Sequence, residues 1–200
     1  MSDFKTGYRG QISGSVQDTY ADQPGVAAPG MLAFASDLNN VDAIFIGETL
    51  GIAAGKGVMF TPITDVATSD ITLQRPNEAA FLPTTGKTVA DFAGILCFDE
   101  TMQSDENGVP GYAEGRVGRI VKKSRAGGRI YVKAVEAVDP ATSTVNWVVV
   151  AGSDGLYEAG EFAPAALAGS SVPGYSTDLS SVAKWITKAA AGDIAIIELI

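Results

Sequence analysis

Apolar and polar positions alternate along this chain in short runs, and turn residues separate one run from the next. The clearest runs are Arg116–Val121, Gly128–Val138, Thr144–Ala151, Gly155–Phe162, Val182–Lys188 and Asp193–Ile200. Each is rich in Val, Ile, Tyr or Trp and is bounded by Gly, Pro, Asp or Ser, which predicts many antiparallel strands joined by tight turns. Earlier in the chain the same reading covers Met31–Ala35, Val41–Ile46, Gly51–Ala54, Val58–Phe60 and Gly94–Phe98. Val41–Ile46 is too apolar for a surface strand and is placed inside. Ser124–Gly128 reads as the hairpin loop between the strands on either side of it. An amphipathic helix over Ser180–Ala191 is a rival to a strand there, and Ala163–Ala168 could be helical. The predicted core is Ile44, Ile46, Ile95, Phe98, Ile130, Val132, Trp147, Val149, Ile194 and Ile196.

Residues 1–29 lack sustained periodicity. Phe4, Tyr8 and Tyr20 are scattered among Gly, Ser, Gln and Asp, and Pro24-Gly25 and Pro29-Gly30 close the stretch with turn signals. The predicted class is therefore mainly β: an antiparallel β-barrel or sandwich-like body with an extended N-terminal arm and at most short helices. The arm is residues 1–29 and the body residues 30–200, with a smaller lobe placed around 61–93, where Pro76 and Pro83 interrupt the pattern. The arm reads either as a disordered tail or as a segment ordered against a neighbouring subunit. Phe4, Tyr8 and Tyr20 are the candidate partner-contact residues, because aromatic rings gain most from burial and would be wasted in solvent.

Composition narrows the classes. Hydrophobic residues make up 46% of the 200 residues and charged residues only 18%; the globular average for charge is roughly 25%. Disorder wants the opposite balance. Net charge is −9, whereas phosphate-backbone binding needs clustered cations. The one basic cluster, Arg116, Arg119, Lys122, Lys123, Arg125, Arg129 and Lys133, reads as a solvated or salt-bridged strip, so no nucleic-acid partner is expected. The opening Met-Ser-Asp-Phe-Lys lacks the order of a signal peptide. No apolar stretch approaches the roughly 20 residues that span a bilayer as a helix, so no membrane partner is expected.

Candidate chemistry is sparse. The chain contains no histidine, which removes the commonest general base and metal ligand. Cys97 lies in the apolar run Gly94–Phe98 and reads as a small buried hydrophobe. Gly86-Lys87-Thr88 lacks the glycine that a phosphate loop needs five positions earlier; Phe81 stands there. Gln103, Asp105, Asn107, Gly108 and Glu114 partly match a calcium loop, but the first ligand is Gln and no flanking helices are evident. Gly51, Gly55 and Gly57 do not fit a dinucleotide fingerprint and read as turn or bulge positions where a side chain would clash. Asp99–Glu100 and Asp105–Glu106 are adjacent, so alternation sends each pair to opposite faces. No catalytic, cofactor-binding or metal-binding residue is assigned.

The order of motifs resembles the cement, or decoration, proteins of tailed double-stranded DNA bacteriophage capsids. Gly7-Tyr8 precedes Pro29-Gly30-Met31-Leu32-Ala33, similar to that family's entry into its first core strand. Leu82-Pro83-Thr84 then precedes Phe92-Ala93-Gly94-Ile95-Leu96. After the acidic loop come Tyr112, Gly118-Arg119-Ile120-Val121, Gly128–Lys133 with Glu136-Ala137-Val138, Gly160-Glu161-Phe162 and Gly192–Leu199. Gly152-Ser153-Asp154-Gly155 departs from the family's strand start at that point. The resemblance covers most of residues 29–200. It implies a non-enzymatic virion protein, made in the bacterial host cytoplasm. It would bind the outer capsid surface as a homo-oligomer, trimer ahead of dimer, and stabilise contacts between major capsid proteins. The alternatives are another virion component (tail tube, head completion or major capsid subunit) and a histidine-free carboxylate enzyme.

Overall fold

The structure, a computed structural model, describes residues 27–33, 41–62, 78–98, 103–104, 110–124, 127–150, 156–167 and 175–200. Strands β1 (Val41–Ile46), β3 (Gly57–Pro62), β4 (Glu78–Phe81), β5 (Phe92–Leu96) and β8 (Val117–Lys122) close into a barrel in the order β1-β4-β3-β5-β8. Between them, β2 (Ile52–Ala53), β6 (Gln103–Ser104) and β7 (Pro110–Tyr112) form a small sheet ordered β2-β7-β6. The rest of the chain builds two further three-stranded sheets. One joins β13 (Ala183–Trp185), β14 (Ile194–Leu199) and β9 (Arg129–Lys133). The other joins β11 (Phe162–Ala163), β10 (Asn146–Val148) and β12 (Ser176–Asp178). The mainly-β expectation holds. Among the described residues neither helix rival forms: β13 occupies the middle of 180–191, and 163 ends a strand.

A five-stranded barrel is narrow enough to be filled by side chains. Ile44, Ile46, Val58, Ala80, Leu96 and Ile120 fill it, with Tyr112 packed among them. Strands alternate their side chains, so the opposite parity of the same strands faces outward, except that in β5 the register shift opposite Val58 and Met59 leaves Ala93 and Leu96 inside and both Phe92 and Ile95 outside. On one flank these outward residues are apolar too: Met59, Phe92, Ile95, Cys97 and Val121. They meet Trp147, Phe162, Ile130, Val132, Ile197 and Leu199 from the two other sheets. The protein thus has one core inside the barrel, a larger one in the seam between barrel and sheets, and a small third cluster of Val148, Tyr157 and Ala163.

Trp147 is the centre of the seam. It is fully buried, its ring meets Phe92 edge-on at 5.1 Å, and its Nε1–H donates to the Gly57 carbonyl at 3.2 Å. A Cβ on Gly57 would lie 2.7 Å from that indole nitrogen and 2.9 Å from Phe162 Cζ, so the close approach requires glycine. Gly51 and Gly55 occupy turns at φ +75° and +80°, as the turn reading expected.

Four expectations are corrected. First, Ser124–Gly128 does not close a hairpin: β8 pairs with β1 and β5, whereas β9 pairs with β14. The connection carries the chain from the barrel to the next sheet. Second, the barrel is not wholly antiparallel, because β1 runs parallel to β4. Third, Val41–Ile46 is not buried throughout; Ile44 and Ile46 point inward, while Ala43 is exposed. Fourth, two predicted core residues are only half-buried, Phe98 and Ile194. In β14 the seam takes Ala195, Ile197 and Leu199, the opposite parity to Ile194 and Ile196. Glu198 shares the parity of Ile194 and Ile196 and marks it as the outer face. The other predicted core residues are buried.

Candidate interaction surface

Several of the described ionisable groups are bound into the framework. Lys56 holds Glu161 at 3.2 Å and Glu158 at 2.7 Å, and Glu161 Oε2 also accepts the Glu158 backbone N–H. Glu161 is nearly buried, so this ion pair pins the turn before β3 to the strands β10 and β11. On the outer face of the other sheet, Glu198 sits between Arg129 at 2.8 Å and Lys184 at 3.2 Å. The hydrogen bond from Arg129, followed by the Lys184 contact, holds the Glu198 carboxyl below its ordinary range. Asp139 is lowered chiefly by its bond from Lys188. No group of three or more His, Cys, Asp or Glu able to hold a metal ion occurs among the described residues.

The sequence candidates fall as follows. In the Gly86-Lys87-Thr88 segment, Asp91 accepts from the Thr88 backbone N–H and hydroxyl, at 2.9 and 3.0 Å, and these bonds lower its pKa. The segment is a local turn leading into β5 rather than a phosphate cradle. The calcium-like pattern is flanked by β6 and β7, which pair with each other as an antiparallel hairpin, and 105–109 lie outside the described residues. Cys97 is buried in the seam.

The basic cluster is divided between two sheets. Lys122 pairs with Asp42 at 3.3 Å and lies over the Phe60 ring. Lys123 donates to the Val89 and Ala90 carbonyls at 2.8 and 2.7 Å, and burial pushes its pKa down. Arg129 belongs to the Glu198 ladder, Lys133 is exposed, and Arg125 lies outside the described residues. Arg116, just before β8, and Arg119, on it, are exposed.

Phe4, Tyr8 and Tyr20 lie outside the described residues, as do 152–155. Residues 27–33, where the arm meets the body, are anchored. Gly30 donates to the Tyr131 carbonyl at 2.7 Å and accepts from the Phe98 N–H at 2.6 Å; Tyr131 donates to Met31 and Ala33 to Arg129. Leu32 bridges to Ile130 and packs on the seam. The expected first core strand is thus a single bridge along the β9 edge, tying that sheet to the barrel.

Sequence reasoning missed the end of the barrel formed by the β1–β2 and β7–β8 turns. Leu50 is 96% exposed and Val117 65%. The backbone there is tightly held: Gly115 donates to the Ile46 carbonyl, Ile46 to Arg116, Gly51 to Glu48, and Glu48 Oε2 accepts from Leu82 N–H. The available signal was Leu50 itself, a large apolar residue immediately before Gly51 in a turn where polar residues are usual.

Comparison with known proteins supplies the rest. A chain from a solved structure entitled "The capsid of Myoviridae Phage XM1" superposes with a TM-score of 0.56 at 14% identity, covering 88% of this chain and 92% of that one. At that identity the likeness establishes a shared fold. No curated protein sequence matches. The profile of the family described as structural cement protein (E217 gp24/Pam3 gp6) matches residues 16–200. With the match running through the barrel, the seam and both outer sheets, the chain belongs to the phage structural cement protein family.

Proposed function

We infer that this chain is a capsid-stabilising structural component of the virion that binds the outer surface of the shell as a homo-oligomer, a trimer ahead of a dimer. It would add buried area between neighbouring major capsid proteins and carry out no catalysis. The family match over residues 16–200 is the observation that carries this reading. The seam-locked body agrees with it, since its ion pairs brace the fold. An interface of standard size, roughly 1,600 Å², can be tight without any chemistry. On this reading Phe4, Tyr8 and Tyr20 anchor the arm on a neighbouring subunit.

A protein that binds the assembled shell and not dispersed coat subunits stabilises the shell by linkage. At about 100 times its dissociation constant the gain is roughly 2.7 kcal/mol per independent site. Capsids lacking the protein are heated with and without it, and disruption is followed by dye access to DNA. The disruption temperature should rise; binding without a rise would refute the cementing role. Deleting residues 1–25 should leave the melting temperature of the isolated protein unchanged but weaken co-sedimentation with capsids. Wild-type affinity of the truncated protein would remove the arm from the interface.

A further inference from the structure

We propose that residues 84–91 form a strap at the edge of the seam that opens and closes as a unit while the body stays folded, latched by Lys123 on the barrel side and Thr177 on the sheet side. The segment joins β4 to β5, both barrel strands, yet it reaches out to β12 of another sheet. Among the described residues, its backbone–backbone bonds are internal: Lys87 N–H donates to the Thr84 carbonyl at 3.3 Å and Asp91 N–H to the Thr88 carbonyl at 3.0 Å. Asp91 closes the turn further, accepting from Thr88 and pairing with Lys87 at 3.5 Å. The body's hydrogen bonds to the strap all come from side chains. Lys123 Nζ donates to the Val89 and Ala90 carbonyls, at 2.8 and 2.7 Å, and Thr177 Oγ1 to the Lys87 carbonyl at 2.6 Å. Val89, half-buried, packs on the seam.

This mode of attachment sets where the chain yields. On either side, β4 and β5 are held by ladders to β3, and Pro83 and Phe92 are buried where the strap begins and ends. Between them Thr84, Thr85, Gly86, Thr88 and Ala90 are exposed, and a Cβ on Gly86 would meet nothing within 4 Å. A segment with few apolar contacts and no ladder to break is where local opening costs least. The Thr88–Asp91 bonds and the Lys87–Asp91 pair lie within the strap, so they travel with it and keep it compact when it lifts. Closed, the strap ties the barrel to β12. Open, it bares Val89 and leaves barrel and sheet joined by the seam and the Lys56–Glu161 pair. Opening needs neither a capsid nor a second copy of the chain.

The test is trypsin digestion of the full-length folded protein, with cleavage after Lys87 and after Arg119 timed separately by mass spectrometry. Arg119 pairs with Ala43 in the barrel ladder, so its cleavage reports unfolding of the whole body. Cleavage at Lys87 should be the faster, and mild urea below the unfolding transition should leave it unchanged, because a local opening exposes little surface. Lys123→Met keeps an apolar stem but loses the donor, and should speed Lys87 cleavage at least about tenfold, as for one charge-assisted hydrogen bond. Thr177→Val should speed it about threefold, as for a neutral one. Ile46→Val, a change inside the barrel, should speed cleavage at Arg119 severalfold and leave Lys87 as in wild type. Lys87 cleavage that rises with urea and with Ile46→Val in step with Arg119 would show that the strap opens only with the whole body, and overturns the proposal. Rapid Lys87 cleavage that ignores Lys123→Met or Thr177→Val overturns it as well, since that side chain would then hold nothing shut.

Discussion

Trp147→Ala should be among the most damaging single changes in the body. The ring is fully buried, stacks edge-on against Phe92 at 5.1 Å, and bonds to the Gly57 carbonyl at 3.2 Å. Truncating a buried tryptophan costs about 3–5 kcal/mol, the spread depending on how far the site collapses. Collapse should be limited here, because the facing residues belong to the barrel on one side and to β11 on the other. For a chain of this size each kcal/mol lowers Tm by about 2–4 °C, so a fall of about 6–20 °C is expected. Gly57→Ala probes the same contact from the opposite side. Its Cβ would meet Nε1 at 2.7 Å and Cδ1 at 2.9 Å, an overpacking worth about 1–3 kcal/mol. Trp147→Ala removes both of those atoms, so Gly57→Ala should cost less in that background, with a coupling of at least about 0.5 kcal/mol. Urea unfolding followed by far-ultraviolet circular dichroism measures all four corners of the cycle. A loss below about 0.5 kcal/mol for Trp147→Ala, the level of a surface change, would refute the seam as the main core; additivity would refute the contact with Gly57.

The Arg129–Glu198–Lys184 ladder predicts a pH dependence. The Glu198 carboxyl is lowered in the folded state from its ordinary 4.5, so its contribution is fully present above that value and is lost as pH falls through the lowered folded one. The urea midpoint of Glu198→Gln should lie below wild type near neutrality and converge with it in acid; parallel curves would show that the ladder contributes nothing. Gly30→Ala should cost at least about 2 kcal/mol. The position has φ +86° and a Cβ there would meet Ala54 Cβ at 2.7 Å and the Phe98 nitrogen at 2.8 Å. Amide exchange at Ala33 and Tyr131 should quicken in that variant, and unchanged protection would mean that residues 27–33 are not a brace.

Much of the fold was legible in local pattern. Period-two alternation identified β1 and placed β8, β9 and β14 to within a residue or a few, because which face a side chain takes is decided within the strand itself. Gly51, Gly55 and Gly57 were recognisable as positions that exclude a side chain, since turns and close approaches need glycine whatever surrounds them. The candidate site was far less legible. The β1–β2 and β7–β8 turns are far apart in the chain and meet because Ile46 bonds to both Gly115 and Arg116 and β2 pairs with β7.

Pairing was likewise a tertiary decision. A hairpin between β8 and β9 satisfied every local rule, yet β8 closes the barrel against β1 and β5, where Val121, between Val41 and Ile95, completes the seam. The parallel β1–β4 contact left no local trace, because it joins segments some thirty residues apart. In β14, Ile194-Ala195-Ile196-Ile197 is apolar on both parities, so alternation alone could not orient it, and a one-residue slip inverts every side chain. What the amino-acid order determined by itself was which residues could lie in strands and turns. Which strands met, and hence which face was left to water, was decided by the need to fill a barrel and a seam at once.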